Sequence, residues 1–157
     1  MNINNVLGNN KVQWKMIFGA IILVITLAFV GFAIQGSLAK PSYSFTSNDF
    51  IISGQYGVTI HLLGATVTHE LNQVPTAETK TNGAAIGKIK KGYFKISGSE
   101  VYFNIMDENA SNYILITDKN GSKYYINSAS SEETTNLYNK IAAKNSSQKW
   151  VREFFSP

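Results

Sequence analysis

Between Met16 and Ile34 the chain reads MIFGAIILVITLAFVGFAI, nineteen positions without a charge, and no other segment is comparably apolar. As an α-helix the run is roughly 28 Å long, close to the ~30 Å hydrocarbon core of a bilayer. Beyond Pro41 the continuous apolar pattern gives way to alternation. Val58, Ile60 and Leu62 fall on one face of a strand, with Thr59 and His61 on the other. Phe94 and Ile96 alternate with Tyr93 and Lys95, and Val101, Phe103 and Ile105 with Tyr102 and Asn104. Ile114 with Ile116, then Tyr124 with Ile126, continue the theme. Period-two runs rich in Tyr, Phe, Ile and Val predict half-buried antiparallel strands.

Turn chemistry divides these runs. Ser97-Gly98-Ser99 and Asn120-Gly121 are hairpin signals, and 53–57 (SGQYG) and 107–111 (DENAS) are polar turns. The pattern predicts about seven strands, at 42–46, 49–54, 57–63, 66–73, 88–97, 100–106 with 112–118 (a pair that counts as one or two), and 122–128. Gly92, inside the fifth of these, implies a bulge or sharp bend. The period then becomes helical. Ser130 and Glu133 have the spacing of a capping box, and Leu137, Tyr138 and Ile141 share a face. Strands closed by one amphipathic helix predict an α+β roll or barrel plugged at one end. The organisation read from the chain is an N-terminal tail at 1–15, a transmembrane helix or signal anchor at 16–38, a domain at 41–147, and a C-terminal aromatic tail at 148–157. In that tail Trp150, Phe154 and Phe155 lie near Lys149 and Arg152, a composition for packing back on the domain or for touching a membrane surface.

Charge refines the placement. Lys11 and Lys15 precede the apolar run with no acidic residue before it, and Lys40 is the one nearby cation beyond it. The positive-inside rule then puts the N-terminus in the cytoplasm and the domain outside. A cleaved signal peptide is the competing reading, because Ser37-Leu38-Ala39 sets small residues where a signal peptidase needs them. The apolar run is longer than the 7–15 residues usual in a signal peptide, which favours retention. A buried helix of a soluble protein is the third reading. Setting Lys11 and Lys15 aside, the remaining segment has 12 cations against 10 anions, too even for a nucleic-acid-binding field. The absence of Cys excludes disulfides and thiolate chemistry.

The segment Thr81–Ile141 resembles a bacterial pleckstrin-homology-like domain family. The resemblance rests on Thr81-Asn82-Gly83, Gly87, Gly92-Tyr93-Phe94, the strand Tyr113 to Thr117, Tyr124 to Asn127, Glu133-Thr134 and Leu137-Tyr138, with Tyr43 to Phe45 and Gly57 to Leu62 extending it. Ala84-Ala85 and Ala110-Ser111 depart from the family pattern. The resemblance implies an α+β fold in which the transmembrane helix is followed by a strongly bent seven-stranded antiparallel β-roll with a C-terminal capping helix. It implies membrane tethering and no established enzymatic activity.

Candidate chemistry is sparse. His61 and His69 are the only histidines, and His69 and Glu70 point to opposite sides of a strand. No P-loop, H-E-x-x-H or G-x-S-x-G motif is present. No cofactor is expected, and no catalytic or metal-binding residue. One charge feature stands out: Lys80, Lys88, Lys90, Lys91 and Lys95 lie within sixteen residues with no acid among them, close to Gly83, Gly87 and Gly92. They read as an anion site, or as lysines guarding a sheet edge against aggregation. The expectation is a non-enzymatic interaction module on a single-pass cell-membrane anchor, with its domain extracytoplasmic. Its partners would be the lipid bilayer and a protein or anionic envelope ligand, with no nucleic acid. A secreted form released after Ala39, or an enzyme with an unrecognised site, are the alternatives.

Overall fold

A computed structural model describes the backbone of residues 3–155 and the side chains of residues 13–147, so the aromatic side chains expected at Trp150, Phe154 and Phe155 lie outside the described residues. The chain divides into two compact units, Met1–Gly36 and Ser37–Pro157. The first unit is helical. Helix α1 runs Ile3–Leu38. Its apolar stretch Gln13–Leu38 has the length and composition to cross a membrane, and no residue of its most apolar window is buried. Phe29 and Phe32 are 73% and 78% exposed. Apolar area of that extent stays out of water only in lipid or against another protein. The polar side chain of Thr26 is satisfied within the helix, donating to the Ile22 carbonyl at 2.9 Å.

The second unit is α+β, with two sheets and a closing helix. Strands β1 (Ser42–Phe45), β2 (Asp49–Ser53) and β3 (Val58–His61) form an antiparallel three-stranded sheet. Strands β4 (Thr66–Glu70), β5 (Thr79–Ile86), β6 (Ile89–Ile96), β7 (Ser99–Ile105), β8 (Tyr113–Thr117) and β9 (Lys123–Ile126) form a six-stranded sheet in the order β4-β8-β9-β7-β6-β5. Helix α2 (Ser131–Phe155) packs on β4 and β8.

Two expectations are corrected here. The seven strands become nine among the described residues, in two sheets, and the pairing is not wholly antiparallel, because β7 and β9 run parallel with Tyr102 opposite Tyr124. The added strand is β5, whose sequence TKTNGAAI has no apolar alternation. It sits at the edge of the sheet, where one pairing partner and small residues suffice. The segments 100–106 and 112–118, grouped together from the pattern, are β7 and β8, and β9 lies between them.

Alternation in the large sheet builds a core on each face. Phe50, Ile60, Leu62, Ile114, Ile116, Ile126 and Ile141 are fully buried in one cluster, which joins the small sheet and α2 to one face of the large sheet. On the other face Phe94, Phe103, Tyr113 and Tyr125 pack with Val74 and Ala77 from the β4–β5 connection. The ring pairs Phe94–Phe103 and Phe103–Tyr125, with centroids 5.4 and 5.2 Å apart, hold that second cluster in register.

Candidate functional site

The five lysines singled out by the sequence do not converge. Lys90 and Lys91 are neighbours on β6 and so project to opposite faces of the sheet. Lys88, in the β5–β6 turn, pairs with Asp107 at 2.7 Å, and Lys90 pairs with Glu108, so both ammonium groups already have carboxylate partners. Lys91 is buried, at 3% exposure, and donates to the Ala39 carbonyl oxygen. Burial pushes its pKa below the ordinary 10.5. Lys80 and Lys95 are exposed on opposite faces of the β5–β6 pair. Gly83 and Gly92, expected to flank an anion, instead face each other across that pair.

The histidines are separated as well. His61 Nδ1 lies 2.5 Å from Asp49 Oδ1 at an exposed corner of the small sheet. His69 stacks on Tyr138 of α2 with ring centroids 5.0 Å apart. Its Nε2 is 3.4 Å from Asn112 Nδ2, which also donates to the Ser131 carbonyl at the start of α2. No group of three or more metal-ligating side chains gathers among the described residues.

A cleft that the sequence reading did not find opens between β1 and α2. Its volume is about 400 Å³. Strand β1 contributes Tyr43 and Phe45, and α2 contributes Glu133, Asn136, Leu137 and Lys140, with Lys40 and Ser128 at the margins. The α2 residues recur at i, i+3, i+4 and i+7, so they are one helix face. That stripe was the available signal, and its mixture of polar and apolar residues hid it from a search for charge runs. The carboxylate of Glu133 is held by Lys40, Nζ to Oε1 2.6 Å, and its Oε2 has no donor among the described residues. Glu133 is therefore only half of the expected capping box: its amide donates to Ser130 Oγ at 3.2 Å, while its side chain turns to Lys40.

Tyr43 forms the floor of the cleft. Burial raises its pKa, hydrogen bonds to Ser128 and Asn104 partly counter that, and the Glu133 charge adds to it. The hydroxyl thus stays neutral and accepts from Asn104 Nδ2 at 3.1 Å. With Lys40 and Lys140 set against Glu133, the cleft carries one net positive charge. Its polar groups offer charge and hydrogen bonds to a molecule of matching chemistry.

Residues 37–40, shortly before Tyr43, are built into the same unit. Ser37 is 5% exposed, and its hydroxyl donates to Gln55 Oε1 at 2.8 Å. With the Lys91–Ala39 and Lys40–Glu133 contacts, side chains from β6, α2 and the β2–β3 turn fix the stem at 37–40. No protein-family model, curated protein or solved structure matches the chain.

Proposed function

We propose that this protein is a non-enzymatic interaction module held at the cell membrane by its N-terminal helix, binding a protein or anionic ligand at the cell envelope. The observation that carries the reading is the helical stretch Gln13–Leu38, whose most apolar window is unburied, together with Ser37, Ala39 and Lys40, which are bonded within the second unit. A stem that contributes to the fold suits an anchor that is kept. Lys11 and Lys15 ahead of the span favour a cytoplasmic N-terminus and an extracytoplasmic domain.

The pleckstrin-homology-like reading belongs to the same proposal. Support comes from the α+β architecture with α2 packed on β4 and β8. The parallel β7–β9 pair stands apart from that family's antiparallel roll.

The secreted form keeps one argument, the small residues Ser37 and Ala39 before Lys40. Intact-mass measurement of the protein from its native membrane decides between the two. The full 17.3 kDa chain, resistant to alkaline carbonate extraction, is the expected result. A soluble chain beginning at Lys40 would replace the anchor with a signal peptide. Labelling of single cysteines placed on either side of the span, in intact cells, fixes the topology.

A further inference from the structure

We propose that the polar cleft between the β4–β5 connection and the β7–β8 turn binds a neutral saccharide of one or two rings. The inference goes beyond the reading above and holds whether or not the span is retained.

The cleft has a volume of about 330 Å³. Residues 73–76 of the β4–β5 connection form one wall, Glu108 and Asn109 of the β7–β8 turn form the other, and Lys90 of β6 lines it as well. Both walls are held in place. Val74 is buried in the second core cluster, and the ring of Pro75 fixes its own φ. Across the cleft, Lys88 Nζ lies 2.7 Å from Asp107 Oδ2, and Asn127 Nδ2 donates to the Asp107 carbonyl at 2.7 Å. The amide of Asn109 donates to Asp107 Oδ1 at 3.1 Å, and that of Glu108 to the Lys88 carbonyl at 3.0 Å. A site formed in advance loses little freedom when it is filled.

The chemistry of the cleft is polar without being charged overall. Lys90 and Glu108 form an ion pair whose side chains are only 18% and 33% exposed, so neither sign of charge is left over for a ligand. The Gln73 and Asn109 amides and the Thr76 hydroxyl each give and take hydrogen bonds. The ion pair does the same, with ammonium donors set beside carboxylate acceptors. A sugar is the matching ligand. Each of its hydroxyls both donates and accepts, so two hydroxyls on adjacent carbons can meet an amide or an ion pair with one of each. The backbone amides of Gln73 and Thr76 add two donors that bond nothing among the described residues. The volume lies at the lower end of the roughly 300–1,000 Å³ of small-ligand pockets, which is room for one or two sugar rings.

The test uses the full chain in phosphatidylcholine nanodiscs, titrated separately with cellobiose and with diacetylchitobiose and followed by saturation transfer from protein to sugar protons. At least one disaccharide should bind saturably in the millimolar range. Its affinity should be unchanged between about 0.05 and 0.3 M salt, because neither the cleft nor the sugar carries net charge. Gln73→Ala combined with Asn109→Ala should weaken binding about tenfold through the loss of two amide contacts. Both residues are exposed, so the fold is expected to survive the change. Absence of saturable transfer to both disaccharides, or unchanged binding in the double variant, overturns the proposal. Tighter binding of glucuronate than of either disaccharide would make the cleft an anion site and overturns it as well.

Discussion

The Lys91 ammonium donates to the carbonyl oxygen of Ala39, fifty-two residues earlier in the chain. Among the described residues it is the one buried side chain of an ionisable acid or base type other than tyrosine, on the same sheet face as Asn104 and opposite it in the β6–β7 register. Burying an ammonium is costly, and one carbonyl offsets only part of that cost. Lys91→Met removes the buried charge and the tie together. Because Ala39 itself is exposed, water takes over its carbonyl, and global stability should change by no more than about 1 kcal/mol. The stem should loosen all the same. Hydrogen exchange of the amides at 37–40 is expected to rise about tenfold in the variant. Unchanged exchange would show that the Ser37–Gln55 and Lys40–Glu133 contacts suffice.

The same lysine predicts a pH dependence. Its folded pKa lies below the ordinary 10.5, so between those two values the unfolded chain binds more protons than the folded one. Stability therefore rises with pH across that window, and the penalty is constant below it. Denaturant midpoints measured on the full chain in detergent between pH 8 and 11 should climb more in the wild type than in Lys91→Met. Parallel profiles would mean that the ammonium is solvated in the folded state.

At the β5–β6 pair two glycines stand opposite each other. Gly83 is in register with Gly92, and a Cβ on either would overlap backbone of the other strand. Gly92 also has φ +101°, a conformation closed to side-chain-bearing residues without strain. Gly83→Ala meets the overlap alone, whereas Gly92→Ala meets overlap and strain together. Both should destabilise, Gly92→Ala by about 2–3 kcal/mol more, read as a drop in the midpoint of chemical unfolding.

That glycine pair also shows where the sequence was legible and where it was not. Gly92 was readable as an irregular point in a strand, because glycine inside an alternating run needs a backbone reason. Its partner strand was not, because TKTNGAAI carries no hydrophobic period: an edge strand held by its backbone has little for side chains to encode. Strands β3, β6, β7, β8 and β9 were legible because each buries alternate residues in a core. The order of the strands was not, since alternation fixes which face is buried and says nothing of the neighbour. The helix α2 was legible from its start signal and from Leu137 and Ile141. Its cleft-lining stripe is hidden because Glu133 has the spacing of a capping box, and polar and apolar residues mix along the stripe. Lys88, Lys90 and Lys91 look like one basic cluster in sequence because the partners of the first two, the acids at 107 and 108, and the Ala39 carbonyl that holds the third are distant along the chain.

One buried side chain ties the end of β9 to the residues that follow β7, beside the parallel β7–β9 ladder. Asn127 Oδ1 accepts from the amides of Met106 and Asp107 at 2.8 and 3.2 Å, and its Nδ2 donates to the Asp107 carbonyl at 2.7 Å. Its own amide bonds the Asn104 carbonyl at 3.1 Å, which continues the ladder past β9. Asn127→Ala leaves three backbone groups without partners in a site of zero exposure, and should cost about 3 kcal/mol or more. Asn127→Asp keeps both acceptor contacts but faces the Asp107 carbonyl with a second oxygen, and should fall between the wild type and the alanine variant. Thermal unfolding of the three proteins in one detergent gives the ranking, and an alanine variant as stable as the wild type would remove Asn127 from its place as the pin of this register.

Acid should act on the turns before it acts on the core. Asp118 closes the β8–β9 hairpin: its Oδ1 accepts from the amides of Asn120 and Ser122 at 2.8 and 2.9 Å. Partial burial pushes its pKa up, but those amides and the Tyr124 hydroxyl more than offset this, leaving it below 3.8. Asp49, through its hydrogen bond to His61, and Asp107, through Lys88, are lowered as well. A carboxylate whose folded pKa is depressed contributes its full stability above the unfolded value, and loses it as pH falls through the folded one. Stability should thus be flat above pH 5 as far as these groups are concerned, and decline below about pH 4. Asp118→Asn keeps a carbonyl acceptor for the turn but removes the titration, so its acid decline should be shallower than that of the wild type while its stability at neutral pH is slightly lower. Unfolding midpoints of both proteins from pH 2 to 6 make the comparison. Coincident curves would assign the acid response to Asp49 and Asp107, which meet His61 across the small sheet and Lys88 just beyond β7.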